Sequence, residues 1–156
     1  MPNWLHLVVN FFYHLGLALW LGGVVVLGAL VAPALFRSLP RLEAGTIFGK
    51  ALRKFARLRL GALVVTILAA GIKHALWERT PTLWISLRWA ALGILAAAVL
   101  YEIGYLERAL EARRVHLTPA MAEEHPQRKA FHTLHKRAEG LMKASLVAAL
   151  AAMLLS

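Results

Sequence analysis

Cysteine is absent from this chain of 156 residues. Disulfide bonds and thiolate metal sites are therefore excluded, and any metal ion would depend on histidine, methionine and carboxylate ligands. Methionine is scarce, with four residues, and acidic residues number 8 against 18 lysines and arginines. The formal net charge of +10 indicates an anionic partner, and without a nucleic-acid motif we expect anionic lipid head groups and no nucleic acid.

Charge is also missing from four long stretches, residues 5–36, 60–72, 89–99 and 144–155. The chain is 60% hydrophobic with a mean hydropathy of +0.61, and uncharged apolar helices of this kind can cross a bilayer. We therefore predict an all-α, polytopic membrane protein: a single domain, 1–156, forming a four-transmembrane-helix bundle. The predicted spans are 5–36, 60–77, 83–106 and 130–155, with basic loops at 37–59 and 107–129.

The distribution of cations predicts the orientation. Fifteen of the 18 lysines and arginines lie within 37–59 and 108–143, and retained cations mark the cytoplasmic side. We expect a cell (inner) membrane protein with the N- and C-termini outside the cytoplasm. The first five residues lack lysine and arginine and the apolar run is long, which argues against a cleaved signal peptide. An outer aromatic belt is expected from Trp4, Phe11, Phe12, Tyr13, Trp77 and Trp84.

Glycine and proline mark positions within the first span. Gly22, Gly23 and Gly28 predict close helix–helix approach in lipid, where small residues favour association, and a homo-oligomer is plausible for the same reason. Pro33 is expected to kink or end the helix.

Residues 41–59 have two interpretations of equal weight. Their apolar residues recur at helical spacing between cations, which suits an amphipathic helix on the inner leaflet. The alternative is a basic extension of the second span. Further along, Thr118 and Pro119 predict a short helix, and Pro126 predicts the start of the last helix.

A first group of polar residues follows one stripe of the first span. His6, Asn10 and His14 are four residues apart, and His14 lies inside the apolar run. His74 is expected at a similar depth, and facing imidazoles on bundle helices can ligate haem iron or copper. Arg88 would then pair with a haem propionate. The alternative is that His6 and His74 are ordinary residues of the head-group region.

The second group lies at the start of the last helix. Its members are His132, His135 and Glu139, with Arg128 and Met142. Offsets of three and four place these residues on one helical stripe, where histidine and carboxylate can bind a transition metal, with Glu102 as the neighbouring ligand. The alternative is a solvated, salt-bridged surface. The two groups belong to opposite membrane faces and cannot share one ion; His116 and His125 are expected to be exposed.

Several short motifs carry a family resemblance. They are His14 with Trp20, Gly22-Gly23, Ala32-Pro33-Ala34-Leu35-Phe36, Glu43-Ala44-Gly45, Phe48-Gly49 and Phe131-His132-Thr133-Leu134-His135. Together they resemble the transmembrane protein 205-like family over most of the chain, which implies a four-helix layout but little about activity.

The first span is also similar, more weakly, to the copper-resistance protein D family and to HemJ-type protoporphyrinogen oxidases. The HemJ resemblance implies b-type haem, with His14 as ligand and Arg88 as the cationic residue of a later helix. The chain lacks the methionine-rich segments of copper exporters.

Three classes of function remain open at this point. The sequence contains no Ser–His–Asp arrangement, glycine-rich phosphate loop or HExxH motif that would indicate an enzyme. We favour a membrane protein that binds haem b or copper through bundle histidines. An accessory or structural membrane protein without cofactor and a small ion or solute transporter are the alternatives.

Overall fold

The computed structural model describes residues 3–78, 80, 82–114 and 125–156, and every regular element in these ranges is helical. The elements are α1 (Asn3–Val25), a π-helical segment (Val26–Val31), α2 (Ala32–Ser38), α3 (Arg41–Leu76), α4 (Leu83–Tyr101), a second π-helical segment (Glu102–Leu106), α5 (Glu107–Arg114) and α6 (Pro126–Leu154). The all-α prediction is confirmed.

Three helical stretches within the described ranges are long and apolar enough to cross a membrane: Asn3–Ser38, Arg41–Leu76 and Leu83–Arg113. The chain is therefore a membrane-embedded protein with three candidate spans. α6 is not among them, because its first half is charged and its uncharged stretch, 144–155, is shorter than the roughly 20 residues of a typical span.

Pro33 does not end the first long helix. The amide of Ala32 donates to the carbonyl of Leu27, five residues back, within the π-helical segment. Proline cannot donate and its ring crowds the preceding turn, and the wider π register just before it absorbs this defect. The helix then continues to Ser38.

The two interpretations of residues 41–59 are resolved by α3. It is one continuous helix from Arg41 to Leu76, so the basic residues form an extension of the second span. At the far end of the chain, α6 begins at Pro126, as predicted, with the exposed His125 side chain accepting a hydrogen bond from the Gln127 amide at 3.3 Å. Thr118, Pro119 and His116 lie outside the described residues.

Glycine determines how closely α1 approaches α3, its main packing partner. A Cβ atom on Gly16 would overlap the Thr66 hydroxyl and lie 2.7 Å from the Ala62 carbonyl oxygen, and one on Gly23 would overlap the Phe55 ring. Gly22 and Gly28 have no such neighbour within 4 Å. The predicted close approach of helices is therefore found at Gly23. The close contact at Gly16 was not predicted.

The buried core lies between α1, α3, α4 and α6, while much of the outer surface is apolar. Fully buried core residues include Tyr13, Leu17, Trp20, Ala70, Leu92, Leu95, Val99, Ala149 and Ala152. Trp4, Phe11, Phe12 and Trp84 are exposed, as an aromatic belt requires. Tyr13 was expected in that belt and is instead completely buried, because it lies on the inward face of α1.

Candidate functional site

A group of charged and polar side chains meets where α3 ends and α4 begins. We call it the Glu78 cluster; its members are Asn10, Tyr13, Lys73, His74, Glu78 and Arg88. The two terminal nitrogens of Arg88 donate to the two carboxylate oxygens of Glu78, at 2.7 Å for Nη1–Oε1. Lys73 Nζ lies 3.9 Å from Glu78 Oε1 and donates to Asn10 Oδ1 at 3.4 Å. The cluster therefore joins α1, α3 and α4.

Tyr13 lies against this cluster and connects it to the last helix. Its ring centroid is 5.8 Å from Lys73 Nζ and 6.0 Å from Arg88 Cζ, within range of cation–π attraction. The Tyr13 hydroxyl donates to the Ala152 carbonyl oxygen at 2.6 Å. All four long helices thus contribute to the site.

The electrostatics of the cluster favour an ionised Glu78. The hydrogen bond from Arg88 lowers the pKa of the Glu78 carboxyl, and this effect exceeds the opposing effect of burial. Lys73 and His74 lower that pKa further. Arg88 Nε and His74 Nδ1 are buried without a hydrogen-bond partner among the described residues. The site therefore holds more side-chain nitrogens than its single carboxylate engages.

A second charged group, the Arg59 cluster, lies further toward the N-terminus of α3. It comprises Trp20, Phe55, Arg59 and Glu102. Arg59 Nη2 donates to Glu102 Oε1 at 2.5 Å, and the Arg59 Cζ lies 5.2 Å from the Trp20 ring centroid and 4.9 Å from that of Phe55. The Gly23 position admits the Phe55 ring, and the second π-helical segment begins at Glu102.

The two clusters are separated along the bundle. Arg59 and Lys73 are 14 residues apart on α3, which corresponds to about 21 Å of helix. Buried residues between them are apolar except for Thr66 and Ser145, whose hydroxyls donate to the carbonyl oxygens of Ala62 and Met142.

His14 is held in one orientation. Its Nδ1 donates to the Asn10 carbonyl oxygen at 2.8 Å, because a carbonyl oxygen can only accept. Nε2 lies 2.9 Å from the hydroxyl oxygen of Ser156, which itself donates to the Met153 carbonyl oxygen at 2.9 Å. A metal-ligating histidine has the same arrangement, with one nitrogen donating to a backbone carbonyl.

The structure gives His14 and His74 different partners. His74 Nδ1 lies 3.9 Å from Glu78 Oε2, and its ring meets Trp89 edge-on at 6.2 Å. Arg88, predicted to pair with a propionate, pairs with Glu78 instead.

The second predicted group is spread over other contacts. Glu102 belongs to the Arg59 cluster, Glu139 pairs with Lys143 at 2.7 Å, and the exposed His135 stacks on Phe131. His132 is exposed. Across the described ranges, no group of three or more His, Asp or Glu side chains could hold a metal ion.

The site residues predicted from the sequence did not include Tyr13, Lys73, Glu78 or Arg59. The available signal was position: Arg59 directly precedes an uncharged apolar run on α3, and Lys73 directly follows it. Charges so close to a span are costly unless they are paired inside the bundle.

Comparison with known proteins gives a family without a described activity. No curated protein and no solved structure matches the chain. The similarities to the transmembrane protein 205-like, copper-resistance protein D and HemJ proteins therefore remain predictions. A family model described as Domain of unknown function (DUF4149) matches residues 15–118, more than half of the chain, and the chain belongs to that family.

Proposed function

We propose that α6 is a fourth membrane span and that both termini lie outside the cytoplasm of the cell in which the protein is embedded. The support is the course of α6 along the bundle. Near its C-terminus, the Ala152 carbonyl oxygen accepts a hydrogen bond from the Tyr13 hydroxyl, and the Ser156 hydroxyl contacts His14. Near its N-terminus, α6 packs against α5, at the end where Arg53 pairs with Glu111. α6 is thus as long as the bundle, and the two basic segments meet at one end.

We further propose that the protein is a small transporter or relay of protons, with the Glu78 cluster as its working site. The observation that carries this proposal is the enclosure of Glu78 by Arg88, Lys73 and His74 at the end of two apolar helices. Ionisable groups buried inside a membrane bundle are expensive and mark ion or proton pathways, and the side chains of Arg88 and Glu78 are only 1% and 15% exposed.

The chemistry of the cluster suits proton exchange. Histidine is the side-chain type that takes up and releases protons near neutral pH, and the His74 side chain is 44% exposed. Its Nδ1 lies 3.9 Å from Glu78 Oε2. Lys73 and Arg88 join α3 to α4 through Glu78, and Lys73 reaches α1 through Asn10, so a change in the charge of the cluster acts on the packing of three helices.

Flux measurements in proteoliposomes test this proposal. The full chain is reconstituted with a pH-sensitive dye inside, and an external acid pulse is applied. Wild-type protein should acidify the interior faster than protein-free liposomes, and Glu78→Gln should remove most of that excess. Glu139→Gln is the matched control, because Glu139 is exposed and pairs with Lys143, outside the Glu78 cluster. Equal flux from wild type and Glu78→Gln, or none above empty liposomes, would contradict the proposal.

Haem binding is the second candidate, and the orientation of His14 favours it. Nδ1 is committed to Asn10, so Nε2 is the nitrogen that can serve as a single axial ligand. The similarity of the first span to HemJ-type proteins agrees. Copper fits less well, because His14 has no second and third ligand grouped with it within the described ranges.

Absorption spectroscopy tests the haem proposal. Detergent-purified protein is supplied with haem and recorded in the oxidised and dithionite-reduced states. A Soret band with sharp reduced α and β bands is expected, lost in His14→Ala and kept in the control His125→Ala, whose side chain only caps α6. Identical spectra of both variants would exclude His14 as the ligand, and absence of the bands in the wild type would exclude haem.

A further inference from the structure

A cavity of about 270 Å³ opens between α6 and the end of the third span, and no member of either charge cluster is among its described lining residues. Its lining residues are Tyr105, Arg113, Ala130, Thr133, Leu134 and Arg137. The volume is close to the lower limit of small-ligand sites, roughly 300 Å³. It can therefore hold a compact chemical group rather than a large cofactor.

The charge of this cavity is one-sided. Arg113 and Arg137 both line it, and none of its described lining residues is acidic. Two nearby carboxylates are engaged elsewhere: Glu111 pairs with Arg53, and Glu139 with Lys143. Both arginines are exposed at the rim of the concavity. With no carboxylate among the described lining residues, two cations on one concave surface focus a positive potential, which an anion relieves.

We propose that this cavity binds a phosphate group, carried by a phospholipid head group or by a small soluble phosphate. Arginine presents a planar fork of donors that matches phosphate oxygens in pairs. Thr133 donates its proton to the Lys129 carbonyl oxygen at 3.0 Å, so the two arginines supply the donors. Arg113 and Arg137 come from different helices, so a bound phosphate would also join α5 to α6.

The other residues that line the cavity favour a phosphate carried by a phospholipid. Ala130, Leu134 and the Tyr105 ring give one side of the cavity an apolar wall. Tyr105 stacks on Tyr101 at 5.4 Å, and both rings are exposed. Exposed tyrosines near the end of a span are typical of the head-group level of a membrane. If the phosphate of a lipid head group bound to the two arginines, the acyl chains of that lipid would lie beside the tyrosines.

Native mass spectrometry of the full chain in detergent tests the proposal. In one arm, the protein is mixed with phosphatidylglycerol or, for comparison, phosphatidylcholine; in the other, with glycerol phosphate or inorganic phosphate. The test variant is Arg113→Gln/Arg137→Gln. The control is Arg108→Gln/Lys136→Gln, which removes the same charge from exposed residues of α5 and α6 outside the cavity. Circular dichroism verifies that both variants are folded.

The expected result is an affinity about tenfold lower or more in the test variant, and little change in the control, because the removed contacts are charge-assisted. Binding of phosphatidylglycerol in preference to phosphatidylcholine identifies a lipid head group, and binding of the soluble phosphates identifies a free phosphate. An equal loss of affinity in the test and control variants would show that binding depends only on the general surface charge, and it would overturn the proposal. Absence of binding in both arms would overturn it too.

Discussion

Two arginines in the apolar bundle are almost completely buried. Arg59 and Arg88 are each 1% exposed, and each donates to a carboxylate, Glu102 or Glu78. Removing one partner of such a pair leaves an uncompensated charge, whereas removing both leaves an apolar contact that the surroundings can accommodate. The two pairs should therefore respond very differently to single and double substitution.

Arg59→Leu should destabilise the protein by about 3–5 kcal/mol, the cost typical of a broken buried pair. The double variant Arg59→Leu/Glu102→Leu should recover most of this loss. Arg53→Leu is the control, because Arg53 and Glu111 form an exposed pair worth about 0–1 kcal/mol. Denaturant unfolding in one detergent measures all three. A double variant as unstable as the single one would show that Arg59 acts through its aromatic contacts instead.

Acid should weaken the Glu78 cluster. The pKa of Glu78 lies below its ordinary value of 4.5 in the folded protein, so its contribution to stability is fully present above that value. The contribution is lost as the pH falls through the lower, folded-state pKa. Melting temperatures recorded between pH 7 and pH 3 should therefore fall more steeply for wild type than for Glu78→Gln. Parallel curves would contradict the role assigned to this carboxylate.

At the scale of helices, periodicity and breaker residues predicted where the elements lie, but not how they join. The charge-free run ending near Ile72 marks α3, yet only the folded chain shows that residues 41–59 continue it. Pro33 signals a defect in the first long helix, but not that a π-helical segment at Val26–Val31 accommodates it. A proline defect can be accommodated by a kink, by a break or by a wider hydrogen-bond register, and the spacing of residues does not distinguish these outcomes.

Gly16→Ala should weaken the contact between α1 and α3. The new methyl group would meet the Ala62 backbone and the Thr66 hydroxyl, neither of which can move easily, and overpacking of this kind costs about 1–3 kcal/mol. Gly22→Ala is the matched control: nothing lies within 4 Å, and alanine should be neutral or stabilising by up to about 1 kcal/mol. Thermal unfolding of both variants in detergent measures the difference, and Gly16→Ala should have the lower melting temperature. Equal melting temperatures would refute close packing at Gly16.

At the scale of the whole molecule, charge segregation was enough to predict an all-helical membrane protein. The partners of the buried charges could not be predicted from the sequence. Helix packing determines that Arg88 pairs with Glu78 and that Arg59 pairs with Glu102. The histidines at positions 14 and 74 were singled out as a pair, but the fold gives them separate neighbours. Depth along a helix can be counted from the sequence, whereas the direction a side chain faces cannot.

The central proposal is that the chain crosses the membrane four times. Its two basic segments then lie on the cytoplasmic side, and both termini lie outside the cytoplasm. Because the sequence has no cysteine, single-cysteine variants at Thr80, Ser156, Lys54 and Lys136 can be labelled with a membrane-impermeant maleimide without background. We expect labelling at Thr80 and Ser156 in intact cells, and at Lys54 and Lys136 only after permeabilisation. Labelling of Ser156 together with Lys54, and not with Thr80, would show that α6 does not cross and would contradict the account.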